Sequence, residues 1–266
     1  MLAASENSLP SLIGEALKRR VLAVQSYALM SYRAVTNLFS PPRYLAETLE
    51  QMDLIGVGSL PIVILTGFFI GAVMVLQTAS QFERFGQTAL TGDVVAIALV
   101  RELGPSITAL LVAGRNASGV ASELGSMLVT EQVDAMRAMG TDPTRKLVTP
   151  RVVATVLMLP LLTAVADFVG LVGGFLVSHF ELRLNPVQYW TRAFDALQFG
   201  DLMQGLTKPI LFGFIVSTVG CYHGLTVRGG TQGVGRATTD AVVVSSVFIL
   251  VANFFLTRLL LFLFAK

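Results

Sequence analysis

The residues with the clearest chemical potential are Arg101 and Glu102, side by side in the middle of a membrane-length apolar run, VAIALVRELGPSITALLVA, at residues 95–113. A charged side chain at the bilayer centre costs at least ~2.5 to 3.5 kcal/mol on insertion scales, so such residues normally pair, face a bundle interior or line a pathway. Asp167 interrupts another apolar stretch in the same way. These groups could form an ion pair, a relay for ions or protons, or an acid–base pair.

Acid–base catalysis is the least supported of these uses. Glu102, Asp167 or His179 would be the acid or base of an intramembrane enzyme, yet no nucleophile stands at a convincing spacing from any of them. The lone Cys221 and the separated His179 and His223 offer no metal-ligand spacing. We therefore expect no enzymatic activity and no cofactor or metal bound by this chain.

Composition identifies the kind of protein that positions these residues. Of the 266 residues 53% are hydrophobic and 14% are charged, against about 25% charged residues in soluble domains. This indicates an all-α integral membrane protein. The net charge is only +2 and the basic residues are dispersed, which argues against a nucleic-acid partner.

The N-terminal segment predicts an amphipathic helix. Between residues 10 and 40, apolar residues recur at spacings of three and four, with basic residues off that stripe. Such a helix lies in the membrane interface or, alternatively, packs on other protein. SPPR at 40–43 ends it, giving an N-terminal interfacial helix (1–43) and a transmembrane permease domain (44–266). The stripe comprises Ile13, Leu17, Val21, Val24, Ala28, Tyr32, Val35 and Phe39.

Five apolar segments are long enough to cross a bilayer, which requires about 20 residues each. They are residues 54–82, 94–114, 152–178, 209–227 and 241 to the C-terminus. Basic residues concentrate before the first span and in the loops after the second and fourth spans. The positive-inside rule therefore predicts a cytoplasmic N-terminus and an outside C-terminus.

Pairs of glycines four residues apart mark places where helices can approach closely. They predict a compact bundle and favour a dimer, in which the first-span glycines bring two copies together. The pairs are Gly67 and Gly71, Gly170 and Gly174, and Gly220 and Gly224.

Two cytoplasmic loops carry mechanistic signals. In SELGSMLVTEQVDAMRAMGTDPTRKLVTPR (122–151), Val129, Val133 and Met136 share one face of a short helix, which predicts docking onto a cytoplasmic partner or resting on the membrane surface. The glycine-rich loop at 224–243 lacks the Gly-Lys-Ser/Thr of a phosphate-binding loop. Energy for transport must therefore come from a partner or from an ion gradient. An ion-coupled transporter using Arg101, Glu102 and Asp167 as a relay predicts inverted repeats, which the sequence does not show.

Three blocks together carry a resemblance to a known family: LVRELGPSITALLVAGR (99–115), the 122–151 segment, and GGTQGVGRATTDAVV (229–243). In order and spacing they resemble the signature blocks of the MlaE/YrbE permeases of MCE-associated ABC transporters. The resemblance implies a homodimer in a bacterial inner membrane. Its expected partners are cytoplasmic ATPase subunits that bind ATP and Mg, and a periplasmic MCE-domain protein. Its expected cargo is phospholipid or a similar hydrophobic molecule.

The resemblance also implies residue roles. It implies a charge network of Arg101, Glu102 and Lys208, which could hold a cavity in shape or switch during the transport cycle. Some relatives carry an acidic residue where this sequence has Asn253, so a fifth-span charge role is not expected here. Lipid-binding residues are expected in the first span at Phe69, Val73, Leu76 and Gln77. The helix that couples to the ATPase is expected to present Glu131, Gln132, Val133, Asp134, Met136, Arg137 and Met139.

Overall fold

The computed structural model describes residues 9–42, 44–183 and 185–264, and within these ranges the chain is helical without strands. The helices are α1 (Leu9–Asn37), α2 (Leu45–Glu83), α3 (Thr91–Val129), α4 (Gln132–Ala138), α5 (Thr144–Phe180), α6 (Pro186–Ala196), α7 (Phe199–Leu225) and α8 (Gly230–Phe264). A short 3-10 turn, Thr88–Leu90, precedes α3. Residues 1–8 of the predicted N-terminal domain, and Arg43 and Lys266, lie outside the described residues.

Five of these helices, α2, α3, α5, α7 and α8, are long and apolar enough to cross a membrane. The prediction of an all-α protein with five candidate spans is confirmed. The apolar windows explain the count, because a segment such as residues 54–82 without any charged side chain has nowhere favourable to lie except in a bilayer or a core.

The predicted loops at 122–151 and 224–243 are wrong in extent. Helix α3 continues to Val129, and α8 begins at Gly230, so residues 226–229 alone separate α7 from α8. The helices continue because they pack on each other beyond the apolar windows. A Cβ on Gly224 would meet Ala121 of α3 at 3.1 Å, and one on Gly125 would meet Val227 at 2.9 Å.

The centre of the bundle is the contact between α2 and α5. Here Gly67 approaches the backbone of Ala166, whose carbonyl oxygen lies 2.7 Å from a Cβ placed at Gly67, and Gly71 lies against the carbonyl of Gly170. The first-span glycines therefore join two helices of one chain. The expectation that they bring two copies together is wrong, since glycine spacing records a close approach without recording which helix approaches.

Gly71→Ala is expected to destabilise the bundle. Its Cβ would collide with the Gly170 backbone, which cannot rotate away as a side chain can, and overpacking of this kind typically costs about 1 to 3 kcal/mol. Gly119→Ala is the matched control, because a Cβ there meets nothing within 4 Å. Unfolding in detergent micelles should separate the two variants, and equal stabilities would contradict this contact.

Helix α1 packs on the bundle along one side only. The Tyr27 and Thr218 hydroxyls lie 2.9 Å apart, and the ring of Tyr27 meets that of Tyr222 edge-on at 5.5 Å. From Leu17 onward the predicted apolar stripe points away from these contacts, and Val24 and Tyr32 are 67% and 68% exposed; the side chain of Ile13 lies outside the described part of the structure. An exposed apolar stripe of this kind suits a membrane interface, and that location stays a prediction.

Candidate functional site

A π-helical turn in the middle of α3 creates the candidate site. The turn spans Leu99–Leu103, and Pro105 follows it. π-Turns inside α-helices occur frequently at functional sites. Because Pro105 has no backbone N–H, it cannot donate to the Arg101 carbonyl four residues earlier. Lys208 Nζ from α7 donates to that carbonyl instead, at 2.7 Å.

Lys208 is the most deeply placed charge of the site, with its side chain 0% exposed. Its ammonium also pairs with Glu102 Oε1 at 2.7 Å. Gly205, one turn before it, allows α7 to come this close, because a Cβ there would lie only 2.5 Å from the Val100 carbonyl oxygen. Glu102 and Lys208 thus meet as the resemblance implied.

Glu102 has two further partners, both on α8. Thr257 Oγ1 donates to the two carboxylate oxygens at 3.0 and 3.2 Å, and Asn253 Nδ2 donates to Oε2 at 3.3 Å. The side chain of Glu102 remains 38% exposed. Asn253, for which no charge role was expected from the sequence, is therefore a neutral hydrogen-bond donor to Glu102. The contact between Thr257 and Glu102 was not predicted from the sequence.

The side chain of Arg101 does not share the partners of its neighbour, although the Arg101 backbone carbonyl accepts from Lys208. Its Nε pairs with Asp201 Oδ1 at 3.2 Å, so the predicted three-residue network is corrected to two ion pairs. Asp201 is held by a capping box at the start of α7, where its Oδ2 accepts from the backbone N–H of Gln198 at 3.0 Å. The four charges sum to zero. Asp201 lies seven residues before Lys208, two helical turns away on the same face, and this spacing could have revealed it.

Asp167 stands apart from this cluster. It is 9% exposed, its Oδ1 has no hydrogen-bond partner, and its carboxyl lies where a Cβ of Gly104 would stand. In the described part of the chain, no hydrogen bond or ion pair joins Asp167 to Arg101 or Glu102. The three residues of the predicted relay are therefore not joined by direct contacts among the described residues. His179, the third candidate acid or base, stacks on Phe175 with ring centroids 6.0 Å apart.

The predicted lipid-binding residues lie on one exposed side of α2. Phe69, Val73 and Leu76 are 57%, 47% and 45% exposed, and Gln77 is exposed as well. Their neighbours Ala72 and Val75 are buried. This face is available on the single chain to lipid or to a second copy.

The predicted coupling helix is α4, and the structure divides its residues into two groups. Val133 is fully buried among residues that include Leu124 and Val148, and Met136 packs partly on the same cluster. Val133 therefore holds α4 on its own chain and is not available to a partner. Five predicted residues are exposed: Glu131, Gln132, Asp134, Arg137 and Met139.

Backbone geometry fixes the ends of α4. Glu131 before it has a φ of 59°, and Gly140 after it has a φ of 77°, both in the left-handed region. Arg137 Nη1 pairs with Asp134 Oδ1 at 2.7 Å on the exposed side. The helix thus presents a defined charged surface at the α3–α5 end of the bundle.

Thr257→Val is expected to destabilise the chain by about 1.5 kcal/mol, the lower end of the range for a hydrogen bond to a charged group, because Glu102 is partly exposed. The substitution keeps the shape of the side chain and removes only the hydroxyl. Thr239→Val on the same helix is the control, since the Thr239 hydroxyl bonds only the Gly235 carbonyl of its own helix. Chemical unfolding in micelles measures both, and an equal loss in the two variants would contradict the role of Thr257.

Comparison with known proteins identifies the family of this chain. The model of the family described as Permease MlaE matches residues 48–259. A probable ABC transporter permease protein of Rickettsia typhi is 42% identical, over 95% of this chain and 98% of its own. A probable ABC transporter permease protein of Synechocystis is 43% identical, over 80% and 81%. The chloroplastic protein TRIGALACTOSYLDIACYLGLYCEROL 1 of Arabidopsis thaliana is 38% identical, over 87% and 66%.

Proposed function

Because the chain belongs to the MlaE permease family and is an ABC transporter permease, we propose that it moves phospholipid or a similar hydrophobic molecule between the inner membrane and the outer envelope. The name of the Arabidopsis relative contains that of a galactolipid, which supports a lipid cargo. The exposed apolar face of α2 around Phe69 and Val73 supports it too, since a lipid tail needs apolar wall and few polar groups.

The observation that carries the proposal is the surface of α4. A seven-residue helix is too short to be stable alone. The buried Val133 and the left-handed residues at both ends nevertheless hold α4 in place. The five exposed residues of the predicted coupling segment are then free to meet a partner. This arrangement suits insertion into the groove of a cytoplasmic ATPase. ATP and Mg bind to that partner, and this chain binds neither.

The whole assembly then contains two copies of this chain, ATPase subunits on the cytoplasmic side and an MCE-domain protein on the periplasmic side. The N-terminus of the chain lies in the cytoplasm and the protein in a bacterial inner membrane. Helix α8 offers a large surface to a second copy, because residues such as Val247, Val251 and Phe255 are 51%, 51% and 62% exposed.

Nucleotide binding can move lipid only by favouring one conformation of the permease over another. Two features of the charge cluster suit a conformational switch. It joins α3, α7 and α8 through contacts on two adjacent residues, and the partly exposed Glu102 lets solvent or lipid compete for its hydrogen bonds.

The test is to tag the chain in its host, extract it in mild detergent and identify its partners by mass spectrometry. Recovery of an ATPase with an MCE protein is the expected result, followed by ATP-dependent transfer of a fluorescent phospholipid in proteoliposomes. Recovery of the chain alone, in a detergent that keeps other ABC complexes whole, contradicts the proposal. A complex that hydrolyses ATP but transfers no phospholipid would be consistent with an ABC permease and would contradict phospholipid as its cargo.

A further inference from the structure

Helix α6 (Pro186–Ala196) follows the end of α5, whereas α4 precedes its start. Asn185 is the N-cap of α6, and its Oδ1 accepts from the backbone N–H of Val187 at 2.9 Å. Residues 197 and 198 alone separate α6 from α7. Because consecutive Cα atoms are about 3.8 Å apart, Ala196 lies within about 11 Å of Phe199, the first residue of a candidate span.

One face of α6 holds the helix against α5 and α3. Tyr189 is buried, and its Oη donates to the Leu171 carbonyl at 3.2 Å. Gly174 allows this approach, because a Cβ there would lie 2.7 Å from Tyr189 Oη. Arg192 Nη1 pairs with Asp93 Oδ2 of α3 at 3.6 Å. Contacts with two helices therefore fix the orientation of α6 on the bundle.

The exposed side of α6 is divided into an apolar flank and a polar flank. The apolar flank consists of Val187, Trp190 and Phe194, at spacings of three and four residues that share a helix face. Val187 and Phe194 are 73% and 57% exposed, and the half-buried Trp190 stacks on Phe194 with ring centroids 5.6 Å apart. In the part of the chain that the structure describes, most of this flank stays uncovered. The polar flank consists of Gln188, Arg192 and Asp195.

The position of Trp190 beside α5 sets the depth of the apolar flank. The Trp190 ring lies 5.6 Å from the ring of Phe175 on α5. The apolar run of α5 begins at Val152, and a crossing of about 20 residues from there reaches Leu171. Phe175 is about 6 Å of helix rise further along, within the headgroup layer that adds about 5 to 7 Å on each side of the hydrocarbon. Tryptophan is enriched at this depth in membrane proteins.

We propose that α6 lies in the headgroup layer of the leaflet opposite α4, with its apolar flank inserted between lipids. The aromatic residues at the adjoining span ends support this location, because Phe180 of α5 and Phe199 of α7 are 73% and 72% exposed, and aromatic belts mark the interface. A bilayer is favoured over a soluble partner by the depth of Trp190, since such a partner could reach the flank only by displacing headgroups.

The inference requires only that the chain spans a bilayer, and it stands whatever cargo the transporter carries. The polar flank contains one basic and one acidic residue, Arg192 and Asp195, so its net charge is zero. Insertion of α6 therefore depends on its apolar flank and needs no anionic lipid, unlike the insertion of a helix with a basic face.

Trp190 is the only tryptophan of the chain, so its fluorescence reports on this flank without any substitution. The full-length chain is reconstituted in phosphatidylcholine vesicles. Three quenchers are compared: lipid brominated near the headgroup end of its acyl chains, lipid brominated near the methyl end, and acrylamide in the water. The expected result is loss of most of the emission with the shallow bromine, a smaller loss with the deep bromine and little loss with acrylamide.

Two neighbouring cysteine variants test which flank faces the lipid. Val187→Cys and Gln188→Cys place a spin label on the apolar and the polar flank, each at an exposed position. Cys221 is buried, so the introduced thiol is the accessible one, and the unsubstituted chain is the labelling control. The label at position 187 is expected to be relaxed more by oxygen, which dissolves in lipid, and the label at position 188 more by a water-soluble nickel complex.

Three results would overturn the inference. Strong quenching of Trp190 by acrylamide with weak quenching by both brominated lipids puts the flank outside the bilayer, open to a soluble partner. Protection of both Trp190 and the label at position 187 from lipid and water probes means that protein, such as a second copy of the chain, covers the flank. Equal relaxation of the two labels by the nickel complex means that α6 presents neither flank to lipid.

Discussion

Glu102→Gln is expected to lower the free energy of unfolding by about 3 to 5 kcal/mol, the usual cost of leaving a buried charge without its partner. The substitution keeps the shape of residue 102 and one accepting oxygen, removes the negative charge, and replaces the other carboxylate oxygen with an NH2 group that only donates. It leaves the Lys208 ammonium, whose side chain is 0% exposed, with only neutral acceptors. Unfolding of the full-length chain in micelles measures the change.

The two charges of this pair should not be equivalent. Lys208→Met leaves Glu102, which is 38% exposed and keeps its donors Thr257 and Asn253, so its cost should be smaller than that of Glu102→Gln. The double variant should return to within about 1 kcal/mol of the wild type, because replacing both charges of a buried pair is often neutral. Equal costs for the two single variants, or simple additivity in the double variant, would show that the pair is not coupled as its geometry requires.

Transport separates a switching role from a structural one. If the cluster switches during the cycle, the double variant recovers its stability and still fails to transfer lipid when reconstituted with its ATPase. If the pair only holds α3 to α7, transfer recovers together with stability. Intact assembly and intact transfer in Glu102→Gln itself would exclude the switch.

The span count follows from local composition, which is why it could be predicted. A run such as residues 54–82 has no charged side chain, and this alone places it in an apolar environment. The helix ends could not be predicted in this way. The glycine-rich stretch after Gly229 resembles a loop in composition, yet it is the first turns of α8, because glycines such as Gly224 let neighbouring helices pack beyond the apolar core.

The charge cluster was predictable only in part, because its contacts join residues far apart in the chain. Arg101 and Glu102 drew attention by standing inside an apolar run. That Arg101 turns to Asp201, and Glu102 to Lys208 and Thr257, depends on how the π-turn rotates the two adjacent side chains toward different partners. Sequence spacing places Asp201 and Lys208 on one face of α7, but it does not encode which of them meets Arg101 and which meets Glu102. The burial of Val133 was missed for a related reason, since an apolar residue of a docking helix can face the partner or its own chain.

The coupling role of α4 leads to a prediction that leaves the fold unchanged. Exchanging its exposed ion pair, Asp134→Arg with Arg137→Asp, preserves a pair three residues apart and inverts the charges that a partner meets. Recovery of the ATPase with the tagged chain is expected to fall at least about tenfold, since like charges facing each other across an interface cost several kcal/mol.

The matched control for this exchange lies on α1, where Arg19 pairs with Glu15 on an exposed surface four residues apart. Glu15→Arg with Arg19→Glu makes the same kind of charge exchange away from α4 and should leave ATPase recovery unchanged. Undiminished recovery in the α4 variant would remove α4 from the interface. A similar loss in both variants would mean that the ATPase responds to overall surface charge. A loss confined to α4, with unfolding unchanged, identifies the short helix as the contact through which ATP binding reaches the spans, because Val133 ties it to α3 and α5.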